Sequence, residues 1–235
     1  MSGHSHFATI KRQKAANDAV KGNLFSKLAR AIMIAAKDGP DPEMNFKLRV
    51  EIDKAKSMGL PKDNIERAIG KASGEGSSIE EITYEGFGPS GLFVIVNTAT
   101  DNKNRTAQEI KSLFEKNGGR MGGPGSVAYN FDHKGYILVK KSQDSEDLML
   151  KLIDFGISDM VEEEFGIVIF VEPHELSSVR KKIIDAGIEV LETELQMRPK
   201  MPISIDDPAQ LEKIVKFLDA FDDHDDVSSV YSNLA

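Results

Sequence analysis

His4 and His6 stand one residue apart in the opening GHSHF, and they are the first side chains with ligand or acid–base chemistry. Three uses fit them: half of a metal site, polar contacts in an arm that meets a polyanion, or a solvated terminus. A structural zinc ion takes four ligands and a catalytic one three. The chain has no cysteine, and His133, His174 and His224 are scattered. The residues after the pair favour the arm. Phe7 offers a ring for stacking on a base, and Lys11, Arg12 and Lys14 come next. On a helix, Lys11, Lys14 and Lys21 share one face, and Lys27, Arg30 and Lys37 share another, away from the apolar stripe. Like charges gathered on a helix face cost stability. Phosphate binding accounts for the excess, with a merely soluble basic face as the alternative.

Other motifs carry less. GGRMGGPGS resembles a phosphate loop but lacks the Lys-Ser/Thr ending and joins a helix to a strand. It reads as a helix C-cap followed by a loop, in which Arg120 is within reach of a phosphate. EGFGPSG lacks the spacing of a nucleophile elbow. TDNKNRT lies at a strand-to-helix junction. There Asp101 or Asn102 caps the helix, and Asn102, Asn104 and Arg105 can be presented to an anion. The clusters VEEEF and DDHDD lack calcium-loop spacing and read as solvated acidic faces. No arrangement of nucleophile, base and orienting group stands out. The chain is expected to be a non-enzyme with no metal and no cofactor.

Charge is distributed unevenly. The net charge of the 235 residues is −8, yet residues 1–75 carry 14 Lys+Arg against 9 Asp+Glu. Residues 1–37 hold seven cations and a single acid, Asp18. A basic head on an acidic body has an oriented field that draws a polyanion to one end. The apolar runs LFVIV and IVIFV are too short to span a bilayer, so no membrane partner is expected. A polar start without an apolar h-region, together with the missing cysteines, predicts a cytoplasmic protein.

The positioning elements are set by periodicity. Leu24, Phe25, Leu28, Ala31, Ile32 and Ala35 predict a helix that DGPDP stops. Met44, Leu48, Ile52 and Ala55 predict a second. Pro61 begins a third through Ile65, Ala68, Ile69 and Ala72, and SGEGSS reads as a linker. Beyond it LFVIVNT, GSVAYNF, GYILVKK, ISDMVEEE, GIVIFVE, IEVLETELQM and DVSSVYSNL read as strands, with four helices between them. Gly135 to Met197 thus spell strand–helix–strand–strand–helix–strand, a complete ferredoxin-like unit. The flanking pieces make a second unit of the same kind. The expected fold is α+β: an N-terminal helical domain plus two ferredoxin-like α+β domains, one inserted into the other. The expected boundaries are 1–78 for the basic helical domain, 79–132 with 199–235 for the discontinuous domain, and 133–198 for the insert.

Seven stretches in order, GHSHFATIKRQK, LFSKLARAI, DGPDPEMNFKLR, GLPKDNIERAI, YEGFGPSG, TDNKNRT and GGRMGGPGSVAYNF, resemble the signatures of the YebC family. That family includes the mitochondrial translational activator of cytochrome c oxidase. The resemblance covers essentially the whole chain. It implies three domains, no enzyme activity, no metal and no cofactor. It also implies a DNA-binding transcriptional regulator, or, through the mitochondrial relatives, a translation factor that binds ribosomal RNA and the ribosome. No small-molecule substrate is implied. The family's opening usually reads Gly-His-Ser-Lys-Trp, where this chain has His6 and Phe7. A basic pair common in the family is replaced by Val20 and Asn23. The expected nucleic-acid contacts are His4, His6, Phe7, Lys11, Arg12, Lys14, Lys21, Lys27, Arg30, Asn102, Asn104, Arg105 and Arg120.

Overall fold

The computed structural model describes residues 18–72, 79–141, 145–157, 159–163 and 166–235. The SGEGSS stretch read as a linker lies outside the described residues. Helices α1 (Asp18–Ala36), α2 (Phe46–Ser57) and α3 (Lys62–Ala72) form the head. Their apolar stripes meet in a core of Leu28, Ile32, Ala35, Leu48, Ile52, Ala55, Ile65 and Ala68. Asn45 makes the α1–α2 corner. Its Oδ1 accepts from the Leu48 N–H at 3.0 Å, capping α2, and its Nδ2 donates to the Ala35 and Gly39 carbonyls at 2.7 and 2.8 Å. One buried side chain thus satisfies the start of one helix and the end of another.

Two four-stranded antiparallel sheets come next. The first is ordered β3-β1-β2-β8, from β1 (Glu80–Phe87), β2 (Phe93–Thr100), β3 (Arg120–Met121) and β8 (Val227–Ser232). Helices α4 (Lys103–Lys116) and α7 (Pro208–Asp222) cover one face, and Phe114, Phe217 and Phe221 pack there as a cluster of tilted and edge-to-face rings. The second sheet is ordered β5-β6-β4-β7, from β4 (Phe131–Lys140), β5 (Met160–Glu162), β6 (Gly166–Val171) and β7 (Val190–Pro199). Its helices α5 (Ser145–Asp154) and α6 (Leu176–Asp185) complete a ferredoxin-like unit. The fold class is therefore α+β, as expected.

The strand assignments differ at GSVAYNF, at β1 and at β3, a two-residue strand that was not expected. GSVAYNF is not a strand: Ala128–Asn130 make a 3₁₀ turn, and β4 begins at Phe131, where it pairs with Pro199 at the end of β7. β1 has no counterpart among the expected strands, because Glu80, Glu81, Glu85 and Gly86 interrupt its apolar signal. With β1 in place, the two sheets share a spatial order but not a chain order. The central pair of the first sheet is a tight hairpin, and that of the second is joined through a helix, an edge strand and a turn. No helix among the described residues is long and apolar enough to cross a membrane.

The head is fastened to both sheets. Phe46 and Val50 of α2 pack into the core beneath the second sheet, and Lys54 Nζ lies 2.6 Å from Glu194 Oε2 of β7. The Tyr231 hydroxyl of β8 donates to the Leu195 carbonyl of β7 at 3.1 Å, linking the sheets.

Candidate nucleic-acid interface

Of the expected contacts, His4, His6, Phe7, Lys11, Arg12 and Lys14 lie outside the described residues. Lys21 falls within α1, but its side chain also lies outside them. The remaining six fall into two groups.

Lys27, Arg30 and Arg105 converge on the turn between α7 and β8, which carries the DDHDD run. Lys27 Nζ donates to the Asp222 carbonyl. Arg30 donates from one nitrogen to the Asp225 carbonyl at 2.6 Å and to Asp226 Oδ1 at 3.0 Å. Arg105, from the first turn of α4, reaches Asp226 Oδ2 at 2.7 Å, and the Thr106 hydroxyl donates to the same oxygen at 2.7 Å. Asp226 is only 4% exposed. Burial pushes its carboxyl pKa upward, but the Thr106 hydroxyl and the two guanidinium groups outweigh burial and hold it below the ordinary value. The DDHDD run was expected to be a solvated face. Its last residue is instead a buried anion joining the head to the first sheet's helical layer, because two cations and a hydroxyl replace its water.

Asn102 caps α4, with Oδ1 accepting from the Arg105 N–H at 3.1 Å, as the motif predicts. That bond spends the Asn102 oxygen on the helix. Asn104 is exposed on the first turn. The site thus brings Arg105 to Arg30 across one carboxylate, while Arg120 stands apart. Its guanidinium lies over the Phe87 ring at 5.4 Å, and no described carboxylate makes an ion pair with it.

The glycine run around Arg120 also resolves. Glu85, 7% exposed, accepts backbone N–H bonds from Gly125, Val127 and Ala128 at 2.6, 2.8 and 2.7 Å. The loop does form an anion-binding nest, and an internal carboxylate fills it. Glycine serves close packing here. A Cβ on Gly119 would stand 2.6 Å from both the Phe217 ring and the Phe87 carbonyl, and one on Gly86 2.7 Å from the Arg120 carbonyl.

Glu109, His224 and Asp226 bring three donor atoms within 4.8 Å of one another. His224 Nε2 is 3.1 Å from Glu109 Oε2, its Nδ1 accepts from the Asp226 N–H, and Arg105 lies against the Asp226 carboxylate. These contacts already use the atoms a cation would need, and the guanidinium repels one. Sequence reasoning missed Glu85, Thr106 and Asp226 as organising residues. The opposite charges of residues 1–37 and the C-terminal acids are the one sequence signal that pointed to their meeting.

Known proteins match nearly the whole of this chain. Residues 5–75 match the model of the TACO1/YebC protein N-terminal domain, and residues 79–234 match that of the TACO1/YebC second and third domain. A probable transcriptional regulatory protein of Bacillus licheniformis is 46% identical over 240 residues, covering 100% of both chains. One of Acetivibrio thermocellus with the same description is 44% identical, covering 99% of this chain and 98% of the other. The crystal structure of a conserved hypothetical protein of Aquifex aeolicus superposes with a TM-score of 0.85 at 39% identity, covering 93% of this chain and 91% of that one. From its first helices to its last strand, this chain belongs to the TACO1/YebC family.

Proposed function

We propose that the protein is a non-enzymatic, nucleic-acid-binding regulator of gene expression that engages its target through the basic head. The observation that carries this reading is the seven cations against one acid in residues 1–37, joined to a body with an excess of acids. Such a molecule meets a polyanion head first. The description of its relatives as probable transcriptional regulatory proteins supports DNA as the target. Lys11, Arg12, Lys14 and Lys21 supply the phosphate contacts, with Phe7 stacking on a base. Lys27 and Arg30 follow them in the chain and also hold the acidic turn.

One observation favours a second reading, a ribosome-associated translation factor that binds ribosomal RNA. Asp222, Asp225 and Asp226 lie directly against α1. A long straight duplex on that helix would run past these acids, whereas a folded or single-stranded RNA can turn away from them. Salt titrations against duplex DNA and against ribosomal RNA test both readings. Neutralising Lys11 or Lys14 should lower affinity across sequences and reduce the salt slope by about one ion, nearer ~0.7 for a single strand. Neutralising Lys213 of α7 should leave both unchanged. Equal losses from head and body variants would overturn the reading. Co-sedimentation with ribosomes that ribonuclease abolishes would select translation.

A further inference from the structure

A cleft of about 310 Å³ opens where α2 of the head passes α6, with β7 beneath. Arg49 and Asp53 line it from α2, Ser177, Arg180 and Lys181 from α6, and Thr193 from β7. Three cations thus face one carboxylate. Asp53 Oδ2 lies 3.3 Å from an Arg180 terminal nitrogen, so that acid neutralises only one of them. Arg49 leans on the Pro42 and Glu43 carbonyls through two of its nitrogens and lies 3.8 Å from the Glu43 carboxylate, outside the cleft, which leaves Lys181 as the surplus cation of the lining. Lys181 is exposed and makes no ion pair with a described carboxylate.

Two polar atoms of this lining are orphaned. Thr193 is 7% exposed, and its hydroxyl has no hydrogen-bond partner; the buried Nε–H of Arg180 has none either. Buried donors without partners are uncommon, because each has given up water and gained nothing in exchange. A hydroxyl and a guanidinium N–H, both lacking acceptors beside surplus positive charge, are matched by an anion rich in acceptor oxygens. A phosphate group has that chemistry, and Arg and Lys are its ordinary partners.

We propose that this cleft is a phosphate-binding site, in which Arg180 and Lys181 supply charge and Ser177 and Thr193 supply hydroxyl donors. The site is distinct from the head's own cationic face and does not rest on it. Because its walls belong to the head helix α2 and to the second sheet's α6 and β7, an occupied site ties those two units together. The phosphate is either a free small anion or a backbone group of a bound nucleic acid.

The test uses the full chain and two probes, inorganic phosphate and a short single-stranded oligoribonucleotide with hydroxyl ends. Each is titrated at constant ionic strength while the Thr193 and Ser177 amide and Arg180 Nε–H signals are followed by NMR, alongside the melting temperature. Saturable shifts at these three residues with inorganic phosphate, and a rise in melting temperature, identify a free anion site. Shifts there only with the oligonucleotide identify a backbone phosphate. Thr193→Val should melt no lower than the parent without ligand, since it removes an orphaned hydroxyl, and should lose most of the ligand-induced rise. Lys181→Gln, at an exposed position, should fold normally and weaken binding several-fold. Head variants at Lys11 and Lys14 should leave the phosphate response intact. If neither probe shifts these signals, or if Thr193→Val and Lys181→Gln respond as the parent does, the assignment is overturned.

Discussion

Glu85 and Asp226 are two buried carboxylates that keep their charge by different means. Glu85 uses three backbone N–H groups of the glycine-rich loop; Asp226 uses Arg30, Arg105 and Thr106. For both, burial pushes the pKa upward, and the hydrogen bonds more than offset it, so both lie below the ordinary value. A depressed carboxyl binds fewer protons folded than unfolded. The stability it contributes is therefore complete above the unfolded pKa and is lost as pH falls through the folded one. Glu85→Gln should cost about 1–3 kcal/mol at neutral pH. Urea unfolding from neutral pH down to about pH 3 should show a shallower acid loss than the parent's. An identical pH profile would mean that the nest does not depend on the charge. Asp226→Asn should cost a similar amount in the same assay, because two guanidinium groups lose their buried anion. Neither role was legible in the sequence. EGFGPSG looks like a loop, and DDHDD looks like a solvated run, because burial of an acid depends on partners remote in the chain.

At the scale of elements, the head helices were legible because stripe and breaker agree locally. Leu28, Ile32 and Ala35 repeat at helical spacing, and Gly39 and two prolines stop α1; the Asn45 cap was not read, and Met44, expected on the second stripe, precedes that cap and is exposed. Asn45→Ala should remove the cap of α2 and both tethers to α1 at once. The expected cost is about 1–2 kcal/mol or more, read as a lower denaturant midpoint. A loss of only a few tenths would show that the corner is held by the helix core alone. The β1–β3 part of the first sheet was not legible. β1 hides a buried acid and a glycine, and β3 is two residues long, so neither has a periodic signature. Gly86 explains the glycine: β3 and the Phe114 ring approach β1 too closely for a Cβ.

For the whole molecule, the path of the chain supports an insertion. The first sheet takes strands from residues 80–121 and 227–232, and the second takes all of its strands from 131–199. Phe131 and Pro199 are paired neighbours, so the chain enters and leaves the second sheet at one place. Excising about residues 132–198 and bridging with a few Gly/Ser residues should leave a remainder with a cooperative thermal melt by circular dichroism. Its stability should be reduced, because Phe46 and Val50 lose the core they enter. A molten remainder in several bridge designs would argue for a single indivisible unit. The acidic turn bears on binding at the same scale. Asp226→Asn frees Arg30 and Arg105 and removes a negative charge beside α1. Its affinity for duplex DNA or RNA should rise, with a salt slope steeper by about one ion. A fall in affinity, with the fold intact by circular dichroism, would show that the turn orders the binding surface rather than competing with it.

By itself the sequence determined the helical head, the α+β class, the ferredoxin-like pattern of the second sheet, a helix cap at Asp101 or Asn102 and the polarity of charge. Each is carried by residues close in the chain, where spacing, breakers and local counts are sufficient. Only the tertiary structure decided that β1 and β3 exist, that Glu85 fills the glycine loop, and that Asp226 joins Arg30 to Arg105 across more than a hundred residues. The orphaned donors beneath the α2–α6 cleft belong to the same class. A buried polar atom's partners are set by which distant surfaces the fold brings together, and no local pattern in a single chain encodes that meeting.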